Sequence, residues 1–148
     1  MTEGLTTVGR GGEVSTSPKG PLVLLGRGLY VLIFLMSAPS DFKTQVIGYV
    51  ASQGVPLASI GVPLMGVISL VGGLSILLGY RAKIGAWLIV LFLVVVTPLM
   101  HRFWGVADPN MAQMQMINFL KNMSMLGGAL LITQFGAGPF SLDTRRSR

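Results

Sequence analysis

Gln115, Asn118 and Asn122 fall at i, i+3 and i+7 in an otherwise apolar run, with Lys121 beside them. On a helix these residues share one face, which Met111 and Met125 extend. Two asparagines, a glutamine and a lysine in one span are costly in lipid unless they meet protein or line a cavity. Amide and ammonium groups can donate to a carbonyl or quinone-type oxygen, and methionines mould to a flat ring or a tail. The same residues can instead serve as hydrogen bonds between helices. Upstream stands His101-Arg102-Phe103-Trp104. Its histidine can exchange protons near neutral pH and its arginine can hold an anion. The group also reads as an interfacial anchor of aromatic and basic residues. His101, Arg102, Asn118, Lys121 and Asn122 form the expected ligand site, a cleft opening on the outer side.

A second charged residue sits where charge is expensive. Leu22 to Met36 is almost wholly apolar, yet Arg27 lies within it between two glycines. Its long side chain can snorkel to the nearer headgroups. A buried arginine can also pair with a carboxylate or backbone carbonyls, and of only five acidic residues Asp143 is the one expected on the same side and close to the membrane. An Arg27–Asp143 ion pair closing that end is the structural expectation.

No cysteine and a single histidine are present. Thiol catalysis, disulfides, iron–sulfur clusters and cysteine zinc sites are excluded, and no metal site is expected. The methionines at 111, 114, 116, 123 and 125 lack a repeated copper-binding spacing and read as packing residues. Catalysis by the chain alone is not expected, and any cofactor would be a bound quinone or lipid.

These residues need a membrane scaffold to position them. Of 148 residues, 51% are hydrophobic and 11% charged, against about 25% charged in soluble domains. Four apolar runs, about 22–38, 60–78, 84–100 and 114–135, approach the roughly 20 residues that cross a bilayer core. The fold expected is all-α, an integral membrane four-helix bundle. Residues 1–20 read as a flexible tail, 21–143 as the four-helix domain and 144–148 as a basic tail. Between the first two runs, Phe42, Val46 and Tyr49 or Val50 repeat at helical spacing, which predicts a short interfacial helix. Gly79 to Lys83 predicts a tight hairpin, and Asp108-Pro109-Asn110 a turn.

The net charge of +6 sits between apolar runs, so it reads as an orientation signal and not as a nucleic-acid surface. Arg10, Lys19, Arg81, Lys83, Arg145, Arg146 and Arg148 fall on one side. Lys43 and Arg102 fall on the other, diluted by Asp41 and Asp108. The positive-inside rule puts both termini in the cytoplasm, as expected for a multi-pass protein of a bacterial inner membrane. Small residues at Gly66, Ser69, Gly72, Gly73, Gly127, Gly128 and Ala129 predict close helix packing.

The stretches G-R-G-L-Y-V-L-I-F-L-M-S-A-P-S-D-F-K, G-G-L-S-I-L-L-G-Y-R-A-K-I-G-A, N-F-L-K-N-M-S-M-L-G-G-A-L-L and G-A-G-P-F-S-L-D resemble the DoxX family of small four-helix bacterial membrane proteins. The resemblance covers roughly 21–143. It implies the four-helix fold and, more thinly, a small subunit of a quinone-linked membrane redox assembly. Such a subunit would provide a quinone or lipid site and a docking surface, with membrane lipids and other membrane protein subunits as partners. The rival expectations are a structural accessory subunit of a larger complex and a small-molecule transporter.

Overall fold

A computed structural model describes residues 19–146 of the chain. The chain folds into helices α1 (Lys19–Ser37), α2 (Thr44–Ser52), α3 (Ala58–Leu78), α4 (Ala82–Met100), α5 (Pro109–Phe135) and α6 (Leu142–Arg146), with a 3₁₀ turn at Ala38–Phe42. No strand occurs among the described residues. Of the segment expected as a flexible tail, Lys19 and Gly20 belong to α1 and the rest lies outside the described residues.

Three segments are long and apolar enough to cross a membrane: Gly20–Phe42, Ala58–Leu78 and Ala82–Met100. The fourth expected span lies within α5, whose 27 residues exceed the length needed. Its first half carries the polar stripe, and α5 is not among the three apolar segments. Alongside the four long helices the fold adds the two short ones, α2 and α6. Large apolar side chains face outward on all four long helices, including Leu29, Ile60, Trp87 and Leu131, as lipid contact requires.

The helices succeed one another around the molecule: α1 packs on α3, α3 on α4 and α4 on α5. The α1–α5 side closes only loosely. Val31, Phe34, Ile76, Ala86, Ile89, Leu93 and Ala129 form the core. Phe34 meets Phe92 edge-on at 6.0 Å between centroids. Glycines set the closest approach. A methyl group on Gly72 would lie 2.9 Å from the Gly85 carbonyl oxygen, so α3 and α4 touch backbone to backbone there.

The α3–α4 hairpin follows from local chemistry. Gly79 adopts φ +64° at the end of α3, and the Tyr80 N–H closes on the Ser75 carbonyl at 3.0 Å. Arg81 then enters the left-handed region at φ +48°, which is strained for a residue with a Cβ. At the opposite end, the Asp108 side chain caps α5, accepting from the N–H groups of Asn110 and Met111, with Pro109 at the first helical position. The Asp-Pro-Asn stretch expected as a turn therefore starts α5 five residues before the expected span. The molecule thus has a hairpin end, with α6 and the start of α1, and an opposite end with α2 and the α4–α5 connection.

Candidate functional site

Arg27 and Asp143 meet at the hairpin end without forming the expected ion pair. Arg27 is 5% exposed. Its Nη1 donates to the Ala137 carbonyl at 3.1 Å and its Nη2 to that of Phe140 at 2.8 Å. The Asp143 carboxylate instead accepts from the backbone N–H groups of Arg81 and Ala82. The reason is local. The N-terminus of α4 offers unsatisfied donors beside the carboxylate, while the 136–140 segment presents carbonyls to the guanidinium. Arg27 Nε is buried and has no acceptor.

The polar stripe of α5 is divided between bonds toward α4, from Asn122 and Gln115, and a bond within α5 itself. Asn122, 6% exposed, donates from Nδ2 to Thr97 Oγ1 on α4 at 3.1 Å. Lys121 Nζ donates to Asn118 Oδ1 at 3.2 Å, an exposed contact within one turn of α5. His101 Nδ1 and Gln115 Oε1 lie 3.0 Å apart, so the ring in its Nδ1–H form donates to the amide. Arg102 reaches the Gln53 carbonyl at a long 3.5 Å. Phe103, Trp104 and Phe119 pack edge to face beside them. The five residues expected to line one cleft are thus divided among separate contacts, and none lines either of the two cavities described below. Among the described residues, no three His, Asp or Glu side chains stand together as metal ligands would.

The first cavity lies at the end opposite the hairpin, between the 3₁₀ turn, α2, α3 and α4, with a volume near 200 Å³. Its walls are apolar: Val46 and Val50 from α2, Val62 and Met65 from α3, and Phe92, Val96 and Met100 from α4. One carboxylate, Asp41, joins them. Gly66 makes its place, since a methyl group there would stand 2.8 Å from Asp41 Cβ and 3.3 Å from Oδ2. Of the stripe expected for the short helix, Val46 and Val50 line this cavity, while Phe42 and Tyr49 are exposed. Asp41 escaped sequence reasoning because it read only as a charge diluting Lys43. The i, i+4 spacing of the two valines was the signal that α2 has an inner face.

The second cavity is a groove near 400 Å³ between α1 and α5 at the hairpin end, lined by Arg27, Tyr30 and Phe135 among others. Tyr30 ties α1 to α5 beside the groove, its hydroxyl donating to the Met125 carbonyl at 2.7 Å.

The SURF4 family model matches residues 10–148. Inner membrane protein YphA of Escherichia coli is 29% identical over 126 residues, which cover 84% of this chain and 89% of that protein. The Surfeit locus protein 4 homolog of Schizosaccharomyces pombe is 26% identical over 83% of this chain. The ER-derived vesicles protein ERV29 of Saccharomyces cerevisiae is 25% identical over 86% of it. The chain spans only 37% and 34% of those two yeast proteins. No solved structure matches. These matches correct the expected DoxX membership. The motifs behind it are a helix-capping glycine, an interhelical contact and a hairpin, which report how helices are joined and not which family joins them. The expected quinone-linked redox subunit falls with it. The matches point away from quinone redox chemistry; of the residues assigned to a quinone, Asn122 bonds to Thr97 and Lys121 to Asn118. The chain is a membrane protein, and it belongs to the SURF4 family.

Proposed function

We propose that this chain is a membrane-embedded client-binding protein. It would hold a molecule or segment with an apolar portion and one cationic or strongly donating group in the cavity beside Asp41. The observation that carries this reading is the cavity itself, an apolar chamber with a single carboxylate in its wall. Apolar walls supply affinity and one charge fixes orientation, the usual composition of a ligand pocket. The relatives' names place them in membranes, one in an inner membrane and another in ER-derived vesicles, where a membrane-embedded binding protein would work. In this reading α5 crosses the bilayer with α1, α3 and α4 as a four-helix bundle. The basic residues at 81, 83 and 145 keep the hairpin end and both termini in the cytoplasm, and the cavity opens on the other side.

Met65 and Met100 line the cavity and report on it directly. With ¹³C-methyl methionine protein in lipid nanodiscs, hexylammonium should shift these two methyl signals at roughly tenfold lower concentration than 1-hexanol, about 1.4 kcal/mol of charge preference. Asp41→Asn should erase the difference, and Val62→Phe should weaken both probes. If neither probe moves the Met65 and Met100 signals before the other methionines, the reading is wrong.

A further inference from the structure

We propose that the groove between α1 and α5 binds one anionic phospholipid, its phosphodiester accepting from Arg27 and its acyl chain lying along the apolar wall that Gly26 leaves open. The first observation is a buried charge without an anion. Arg27 is 5% exposed, donates only to two neutral carbonyls and keeps a buried Nε–H with no acceptor. A guanidinium has five N–H donors in a planar fork suited to phosphate. Asp143, the carboxylate at this end among the described residues, is committed to the start of α4. A permanent charge taken out of water calls for an anionic partner, and the described residues offer none.

The second observation is the shape beside that charge. α1 and α5 pack loosely, and between them runs a groove of about 400 Å³ that Arg27 itself lines. Its walls are apolar and aromatic, with Tyr30 and Phe135. Gly26 leaves open space, with no atom within 4 Å of where its Cβ would stand. The third observation is a second cation at the groove's end. Gly136 lines the groove, and Lys83 Cε lies 3.7 Å from the position of a Cβ on it. Two positive groups at one end and an apolar trough beyond them match an anionic headgroup and its chain. A zwitterionic headgroup would add a cation beside Arg27 and Lys83, and the groove therefore discriminates against it. This site is at the opposite end of the molecule from the Asp41 cavity and does not depend on what that cavity holds.

Native mass spectrometry of the whole chain, with phosphatidylglycerol or phosphatidylcholine of matched acyl chains titrated into detergent, tests the proposal. One phosphatidylglycerol should be retained per chain, with a preference of about tenfold over phosphatidylcholine. Gly26→Trp puts a large ring at a position that lines the groove and has open space beside its Cβ, leaves Arg27 itself in place, and should abolish retention. Lys83→Gln should cut the preference severalfold and leave the fold intact. Arg27→Gln should do both, but it also removes two structural hydrogen bonds, so Gly26→Trp is the deciding variant. Equal retention of the two lipids, retention unchanged by Gly26→Trp, or displacement of the lipid by millimolar inorganic phosphate would each overturn the proposal; the last would assign the site to a soluble anion.

Discussion

The Asp143 carboxylate holds the first turn of α4, with Oδ2 accepting the Ala82 N–H at 3.0 Å. Oδ1 takes the neighbouring N–H of Arg81 at 2.8 Å, and the Asp143 N–H in turn donates to the Gly79 carbonyl at 2.8 Å. This single residue of α6 thereby fixes a hairpin some 60 positions earlier and steadies the left-handed backbone of Arg81. Losing such a cap costs about 1–2 kcal/mol. Asp143→Ala should therefore lower the thermal midpoint by roughly 2–8 °C in detergent. Arg81→Gly relieves the backbone strain and should recover part of the loss when combined with it. An Asp143→Ala protein melting with the parent would remove the cap from the account of stability.

The bond from Asn122 to Thr97 predicts a different pattern. It joins α4 and α5 inside the helix assembly, with Thr97 fully buried. Hydrogen bonds of this kind between membrane helices contribute roughly 0.6 kcal/mol on average and up to about 1.7. In a double-mutant cycle, Asn122→Leu and Thr97→Val should each destabilise, and the double variant by less than their sum. The coupling should fall in that range. Additive effects would mean that the two groups bond independently, and the polar stripe of α5 would again be available for a ligand.

Much of the fold was legible because membrane helices announce themselves locally. Apolar runs placed α1, α3 and α4 to within a few residues, and Gly79 marked the hairpin. The helical repeat of Phe42, Val46 and Tyr49 or Val50 pointed to α2, although Phe42 itself falls in the 3₁₀ turn before it. The start of α5 was misplaced because Asp108-Pro109 serves equally as a turn and as a helix cap, and only the paired N–H groups of Asn110 and Met111 decide between them. The candidate cavities were not legible. Asp41, Val62 and Val96 come to line one cavity only through the packing of α3 on α4 and on the 3₁₀ turn, which no local pattern encodes. Arg27 was recognised as a residue needing a carboxylate or backbone carbonyls, but elimination among carboxylates favoured Asp143, and only the folded chain shows that the carbonyls of 137 and 140 take two of its protons.

The glycines divide into two classes that a single substitution separates. On Gly72 a methyl group would meet the Gly85 carbonyl oxygen at 2.9 Å and Ile89 at 3.0 Å. Because the first of these is backbone, relief requires α3 and α4 to move apart, and overpacking of this kind costs about 1–3 kcal/mol. Gly127 has nothing within 4 Å, and alanine there gains helix propensity of roughly 0.5–1 kcal/mol. Gly72→Ala should lower the thermal midpoint and Gly127→Ala should hold or raise it. If both substitutions were tolerated alike, close backbone approach would not be what selects glycine on α3.

Orientation is open to a clean measurement because the chain has no cysteine. Single cysteines can be introduced at Lys83, in the first turn of α4, and at Ala107, just before α5; both positions are exposed. The excess of Lys and Arg at the hairpin end should hold that end in the cytoplasm. In intact cells whose outer barrier admits a membrane-impermeant maleimide, Ala107→Cys should react and Lys83→Cys should react only after the inner membrane is opened. The Asp41 cavity would then face the compartment outside that membrane, and the Arg27 groove the cytoplasmic leaflet. Reaction of Lys83→Cys in intact cells, with Ala107→Cys protected, would invert both assignments and send the search for clients to the cytoplasmic side.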